Sequence, residues 1–235
     1  MTTIAANLQA VRERIARAAR AAGRAPESVR LVAVSKTFPA AAVREAWHAG
    51  QTAFGENHEQ EAGRKISELR DLALEWHFIG PIQSNKTRGI AENFSWVHSV
   101  DRWKVAQRLS DARPAAAAPL KVLIQVNISA EASKSGVTPG ALAGLASQMR
   151  ELPRIELHGL MALPQQSDDA ALQRGQFRAL RELRDRLADA GLALDELSMG
   201  MSADLEAAIA EGATMVRVGT AIFGQRKKEI GNRES

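Results

Sequence analysis

The feature that most constrains this chain is an alternation. Short, largely apolar runs occur at Arg30–Lys36, Thr52–Gly55, Leu74–Gly80, Trp96–Val100, Leu120–Asn127, Ile155–Met161, Leu194–Ser198 and Thr214–Gly219, and a stretch of helical periodicity separates each from the next. The first run, Arg30-Leu-Val-Ala-Val-Ser-Lys36, is continuously apolar rather than alternating, as expected of a strand in a parallel sheet covered by helices on both faces. Eight such strands alternating with helices over 235 residues predict the α/β class and one modified (β/α)8 barrel, with residues 1–235 as a single domain. A doubly wound open sheet is the competing arrangement, but no Gly-x-Gly-x-x-Gly follows any strand, which weakens its dinucleotide-binding form.

One helix is left over. Ile4, Leu8, Val11, Ile15 and Ala19 form an apolar stripe with Arg and Glu between them. Residues 1–24 therefore read as an extra N-terminal helix packed outside the barrel, stopped by Gly23 and Pro26. Further helices are expected at Ala40–Ala49, at His58–Leu72 with Asn57 as cap, at Gln83–Glu92, from a cap at Asp101 to Ser110, at Pro139–Glu151, from about Asp168 to Ala190, and at Ser202–Ala210. The tail 226–235, rich in Lys, Glu, Asn and Arg, is expected to fray.

Composition removes several functions. There is no cysteine, hence no disulfide, thiolate metal site or cysteine nucleophile. The five histidines show no metal-ligand spacing. A formal charge of +4 with 4% aromatic residues lacks the basic cluster interleaved with aromatics that a nucleic-acid surface wants. No run approaches the roughly 20 apolar residues of a membrane span, and the N-terminus has no apolar signal core, so a soluble cytoplasmic protein is expected. Tyrosine is absent altogether, which removes a common general acid or base.

In a barrel the carboxyl ends of the strands share one face, the usual place for a ligand. That face gathers Lys36, Glu56-Asn57, Gly80 with Gln83 to Lys86, Ser99 to Asp101, Asn127, Met161, Ser198 to Ser202 and Arg217 to Thr220. Ser198-Met-Gly-Met-Ser202 and Val218-Gly-Thr-Ala221 are small, polar turns after consecutive strands, suited to an anion. Arg217 interrupts an apolar strand and needs a carboxylate or a ligand acceptor to be buried there. An amine, an anion cradle and a buried guanidinium together suggest a phosphorylated carbonyl cofactor. Pyridoxal phosphate meets all three requirements, with Lys36 forming the Schiff base, the two turns holding phosphate and Arg217 facing the pyridine nitrogen.

The blocks Ala33-Val-Ser-Lys36, Phe54-Gly-Glu-Asn57, Trp76-His-Phe-Ile-Gly-Pro-Ile-Gln-Ser-Asn-Lys86, Ser198-Met-Gly-Met-Ser202 and Val216-Arg-Val-Gly-Thr-Ala-Ile-Phe-Gly224 resemble the signature blocks of the pyridoxal phosphate homeostasis proteins, which are similar to the N-terminal barrel domain of alanine racemases. The resemblance covers nearly the whole chain. It implies a covalent aldimine of pyridoxal 5'-phosphate at Lys36, phosphate contacts from Ser202, Gly219 and Thr220, a pyridine contact from Arg217, and Asn57 and Met201 lining the cofactor. The family usually has tyrosine after Gly-Glu-Asn; here His58 follows Asn57.

Two activities compete for such a site. A racemase needs a base on each face of the cofactor, and with no tyrosine the second base is missing. An arginine at the pyridine nitrogen also keeps that nitrogen unprotonated, because two donors cannot share one acceptor, so the ring is a poor electron sink. The expected function is therefore non-catalytic: binding, holding and delivering the cofactor in vitamin B6 and amino-acid homeostasis, with apo-forms of pyridoxal phosphate enzymes as partners and no metal. A racemase-like enzyme is the alternative, and a metabolite-binding barrel enzyme with an unrelated lysine is a third reading. Lys86 and Lys134 are candidates for transient cofactor binding, and the absence of an obvious exposed apolar stripe favours a monomer.

Overall fold

The structure, a computed structural model, describes residues 3–129, 135–165, 167 and 169–225. Lys134 and the tail 226–235 lie outside the described residues. Eight parallel strands close on themselves in chain order: β1 (Arg30–Val34), β2 (Ala53–Glu56), β3 (Glu75–Phe78), β4 (Trp96–Val100), β5 (Leu120–Gln125), β6 (Ile155–Met161), β7 (Glu196–Ser198) and β8 (Met215–Val218). Pairing of β1 with β8 rules out the open sheet.

Helices α1 (Ile4–Ala21), α2 (Ala40–His48), α3 (Glu59–Glu68), α4 (Thr87–Asn93), α5 (Trp103–Ala112), α6 (Leu142–Arg150), α7 (Ala170–Asp189), α8 (Leu205–Ala210) and α9 (Thr220–Phe223) surround the barrel. The helix that would follow β8 is cut to the single turn of α9. The stripe Leu8, Val11, Ile15 and Ala19 is buried, and α1 packs on α2, α8 and α9, so the leftover helix covers the β8–β1 seam. No helix among the described residues is long and apolar enough to cross a membrane.

Two expected caps and one expected helix start are corrected. His58, not Asn57, precedes α3, and Asn57 lies in the bend between the end of β2 at Glu56 and that helix. Arg102, not Asp101, precedes α5, because Asp101 instead accepts a hydrogen bond from the Arg102 guanidinium at 2.6 Å. Asp204, not Ser202, precedes α8, so the Ser198–Ser202 turn does not open directly into that helix and runs on as loop along the barrel rim. The α7 cap is Asp169, whose Oδ1 accepts from the N–H groups of Ala171 and Leu172.

Register sets the geometry of the mouth. β1 and β8 pair Arg30 with Met215, Leu31 with Val216, Val32 with Arg217 and Ala33 with Val218. Extending it puts Val34 level with Gly219 and Lys36 beside the turn that follows. Side chains alternate across a strand, so Val32 and Val34 share one face of β1, as do Met215 and Arg217 on β8.

Candidate cofactor site

Lys36 is half-buried at the point where β1 gives way to a turn. Thr37 after it sits in the left-handed region at φ 69°, a conformation that costs a branched residue about 1–2 kcal/mol. Its N–H donates to Glu61 Oε1 at 2.6 Å, which pins α3 against the turn. Ser35 before it donates its hydroxyl to Glu56 Oε1 at 2.6 Å, and its carbonyl accepts from Lys65 Nζ at 2.9 Å. Lys65 also meets Glu56 Oε1 at 2.6 Å and Glu61 Oε1 at 3.3 Å. Both charges of the Lys65–Glu56 pair are out of solvent. Burial raises the Glu56 carboxyl above its ordinary range, with Lys65 and the Ser35 hydroxyl opposing that shift. The residues on both sides of Lys36 are thus clamped from α3.

Opposite, the turns after β7 and β8 approach β1 through small residues. A Cβ on Gly219 would lie 3.1 Å from the Val34 carbonyl oxygen and 3.3 Å from its Cβ, so glycine is what lets the turn close over β1. The Gly200 carbonyl accepts from the Arg217 N–H at 2.9 Å, and the Met201 N–H donates to Asp204 Oδ1 at 2.5 Å. Arg14 of α1 donates to the Ser202 carbonyl at 3.1 Å, tying this rim to the seam helix.

Arg217 is 3% exposed. Its Nη1 donates to Ser198 Oγ at 2.6 Å and its Nη2 to the Ala162 carbonyl at 2.9 Å. Burial lowers the guanidinium to about 10 and Asp204 opposes this, so Arg217 remains a cation at neutral pH. Among the described residues no carboxylate bonds it directly, so of the two sequence alternatives the ligand acceptor is the one left. The guanidinium therefore keeps N–H groups for an acceptor in the cavity above it.

All seven residues chosen from the sequence, Lys36, Asn57, Met201, Ser202, Arg217, Gly219 and Thr220, line one cavity of about 510 Å3, inside the size range of small-ligand sites. The other strand-end candidates do not join them. Lys86 faces Glu59 Oε2 at 3.7 Å, and Asp101, Asn127 and Met161 do not line it. Sequence reasoning missed Phe38, Ile79, Leu163 and Asp204, which do. Phe38 rests on Phe223 with ring centroids 5.1 Å apart, a pairing between the turn after β1 and α9 that only the closed seam reveals. Asp204 could have been found as a polar residue beside Ser202. Among the described residues, no group of three or more His, Asp or Glu side chains could hold a metal ion.

The family model for the N-terminal domain of alanine racemase matches residues 6–227. A pyridoxal phosphate homeostasis protein of Pseudomonas aeruginosa is 62% identical, over 96% of this chain and 97% of its own length. The chain belongs to the pyridoxal phosphate homeostasis protein family. Among solved structures, PipY of Synechococcus elongatus with PLP bound is similar at 40% identity and TM-score 0.82, covering 94% of this chain and all of PipY. Alanine racemase from Corynebacterium glutamicum, at 20% identity and TM-score 0.68 over 93% of this chain and 62% of its own, shares the fold. For a member of this family the cavity suits the family's cofactor. Asn57 Oδ1 is buried without a hydrogen-bond partner among the described residues, an acceptor left for a ligand.

Proposed function

We propose that this chain binds and carries pyridoxal 5'-phosphate, holding it as an aldimine on Lys36 and releasing it to apoenzymes in intracellular vitamin B6 and amino-acid homeostasis, without turnover of its own. The observation that carries this reading is the single cavity lined by the Lys36 amine, the Ser202, Gly219 and Thr220 turns and the buried Arg217 cation. The family membership and the PLP-bound PipY structure support it from outside the geometry.

When bound, the cofactor supplies an aldehyde carbon and an electron-withdrawing ring. The chain's own residues then have separable tasks. Lys36 presents its amine from a clamped turn. Ser202, Gly219 and Thr220 offer hydroxyl and backbone donors to the phosphate. Arg217 donates to the ring nitrogen and, as a permanent donor there, keeps it without a proton of its own, which withholds the driving force for carbanion chemistry. Asn57 and Met201 flank the ring. A monomer and a cytoplasmic location belong to the same reading.

The purified protein loaded with pyridoxal phosphate should absorb in the visible aldimine band, and the band should vanish in Lys36→Ala while phosphate-dependent weak binding persists. Steady interconversion of alanine enantiomers by the loaded protein would overturn the carrier role in favour of a racemase.

A further inference from the structure

Below Arg217 the barrel holds a single file of polar side chains. Two-residue alternation puts Glu75 and His77 on one face of β3, Ser198 with Glu196 on β7 and Arg217 with Met215 on β8. Arg217 Nη1 lies 2.6 Å from Ser198 Oγ, Ser198 Oγ 2.7 Å from His98 Nδ1, His98 Nε2 2.9 Å from His77 Nδ1, and His77 Nε2 3.0 Å from Glu75 Oε1. His77, His98, Ser198 and Arg217 are buried. His77 stacks flat on Trp96 at 5.7 Å. Glu75 sits at the opposite end of the barrel from Lys36, partly exposed, 3.4 Å from Arg30, on a second cavity of about 540 Å3.

The direction of every bond follows from the two ends. The hydrogen bond from His77, foremost, with the nearby Arg30 cation behind it, holds Glu75 down at about 2, against the cost of its burial, so its carboxylate can only accept. His77 Nε2 must therefore carry a proton. Burial lowers both histidines, His98 well below its ordinary value, so each ring is neutral with one N–H. His77 Nδ1 is then a bare acceptor, His98 Nε2 the donor, and His98 Nδ1 the acceptor of the Ser198 hydroxyl proton. Ser198 Oγ turns a lone pair to Arg217. A guanidinium can only donate, so the upper end dictates the same order as the lower. Aligned bonds of this kind reinforce one another in a low dielectric.

We propose that Glu75 is a positioning residue for Arg217, acting across the barrel through the one-way chain His77, His98 and Ser198. Its acceptor keeps Ser198 a permanent acceptor toward Nη1, which anchors one edge of the guanidinium and leaves its other N–H groups aimed at the cavity. The chain itself is independent of the ligand; what Arg217 meets above it rests on the cofactor reading.

Nitrogen-15 spectra of the histidine rings and of the Arg217 side chain, recorded on the full chain without ligand, test this directly. The expected result is that His77 and His98 are both neutral Nε2–H tautomers and that Arg217 shows separate, slowly rotating Nη groups. Glu75→Leu should mix the tautomers and speed Nη rotation, and should weaken pyridoxal phosphate binding about fivefold with a shifted absorption band, the scale of one buried hydrogen bond. Glu75→Gln, whose amide oxygen still accepts, should restore both. A wild-type Nδ1–H tautomer in either ring, or wild-type Arg217 resonances in Glu75→Leu, overturns the proposal. If Glu75→Leu does not fold, Ser198→Ala cuts the chain beside Arg217, and unchanged Nη rotation there overturns it equally. If wild type binds no pyridoxal phosphate, the cofactor reading fails while the ring and guanidinium spectra still decide the chain.

Discussion

The two halves of the candidate site are braced by buried polar clusters built on opposite terms. Behind Lys36, the brace is a full ion pair: Lys65 and Glu56 meet at 2.6 Å out of solvent, with Ser35 and Glu61 sharing the ammonium. Behind Arg217, the brace is a file of neutral groups between one buried cation and one distant carboxylate. The ion pair is compact and holds a backbone turn. The file is long and holds the orientation of one side chain. A charge pair resists loss of a partner strongly but tolerates small changes in angle, whereas a chain of hydrogen bonds transmits a change at one end to the other. The half that carries the Lys36 amine is clamped, and the half that carries the Arg217 N–H donors is aligned.

Breaking the clamp should have the largest effect. Lys65→Met leaves Glu56 buried without its counter-charge, and the expected loss of stability is about 3–5 kcal/mol, read from urea unfolding. Lys65→Met with Glu56→Gln should recover much of it, because the two sites are coupled through one contact. If the single variant costs no more than a surface substitution, the clamp contributes nothing and the contrast collapses.

The neutral file should respond to pH instead. His77 and His98 have folded values below the ordinary 6.5, so below that value the unfolded chain takes up protons that the folded chain refuses. Stability should be fully present above about pH 6.5 and fall as the pH drops below it, by up to about 1.4 kcal/mol per pH unit for each histidine. His98→Gln should make the slope between pH 6.5 and 5 shallower. An unchanged slope would mean that the rings titrate freely and that the file is not neutral.

The smallest effect belongs to the turn after Lys36. Thr37 holds φ 69°, which glycine adopts without penalty, so Thr37→Gly should change stability by no more than about 1 kcal/mol. It should also loosen cofactor retention, measured as a faster loss of the bound absorption band on dilution, because the turn no longer favours one conformation.

How far the sequence reveals this molecule depends on the range of the interactions. The strands are legible because each apolar run is a local pattern: Arg30–Val34 and Trp96–Val100 fall inside their expected runs. Lys36 and Arg217 stand out because a cation beside or within an apolar strand has few explanations. Caps are less legible, since Asn57, Asp101 and Ser202 are all good capping residues and tertiary partners decide which one is used. The short α9 escapes a reading of the Val218-Gly-Thr-Ala221 turn as loop, as its single turn is held by packing on α1. The file behind Arg217 is invisible in sequence, because His77, His98 and Ser198 lie on three different strands and become neighbours only when the barrel is closed. The Lys65–Glu56 pair escaped for a related reason: a lysine at helical spacing looks solvated until the helix is laid on the sheet.

The β8–β1 seam, covered by α1, has a further consequence. Lys36 lies on one side of it and Arg217, Gly219 and Thr220 on the other, so the first strand and the last contribute adjoining walls of one cavity. That join is made between segments farthest apart in the chain, the contact with the greatest loop-closure cost. A small molecule gripped from both walls acts as a rivet across the join, adding stability in proportion to its occupancy. The cofactor level in its surroundings thereby becomes legible in how firmly the circle of strands stays shut.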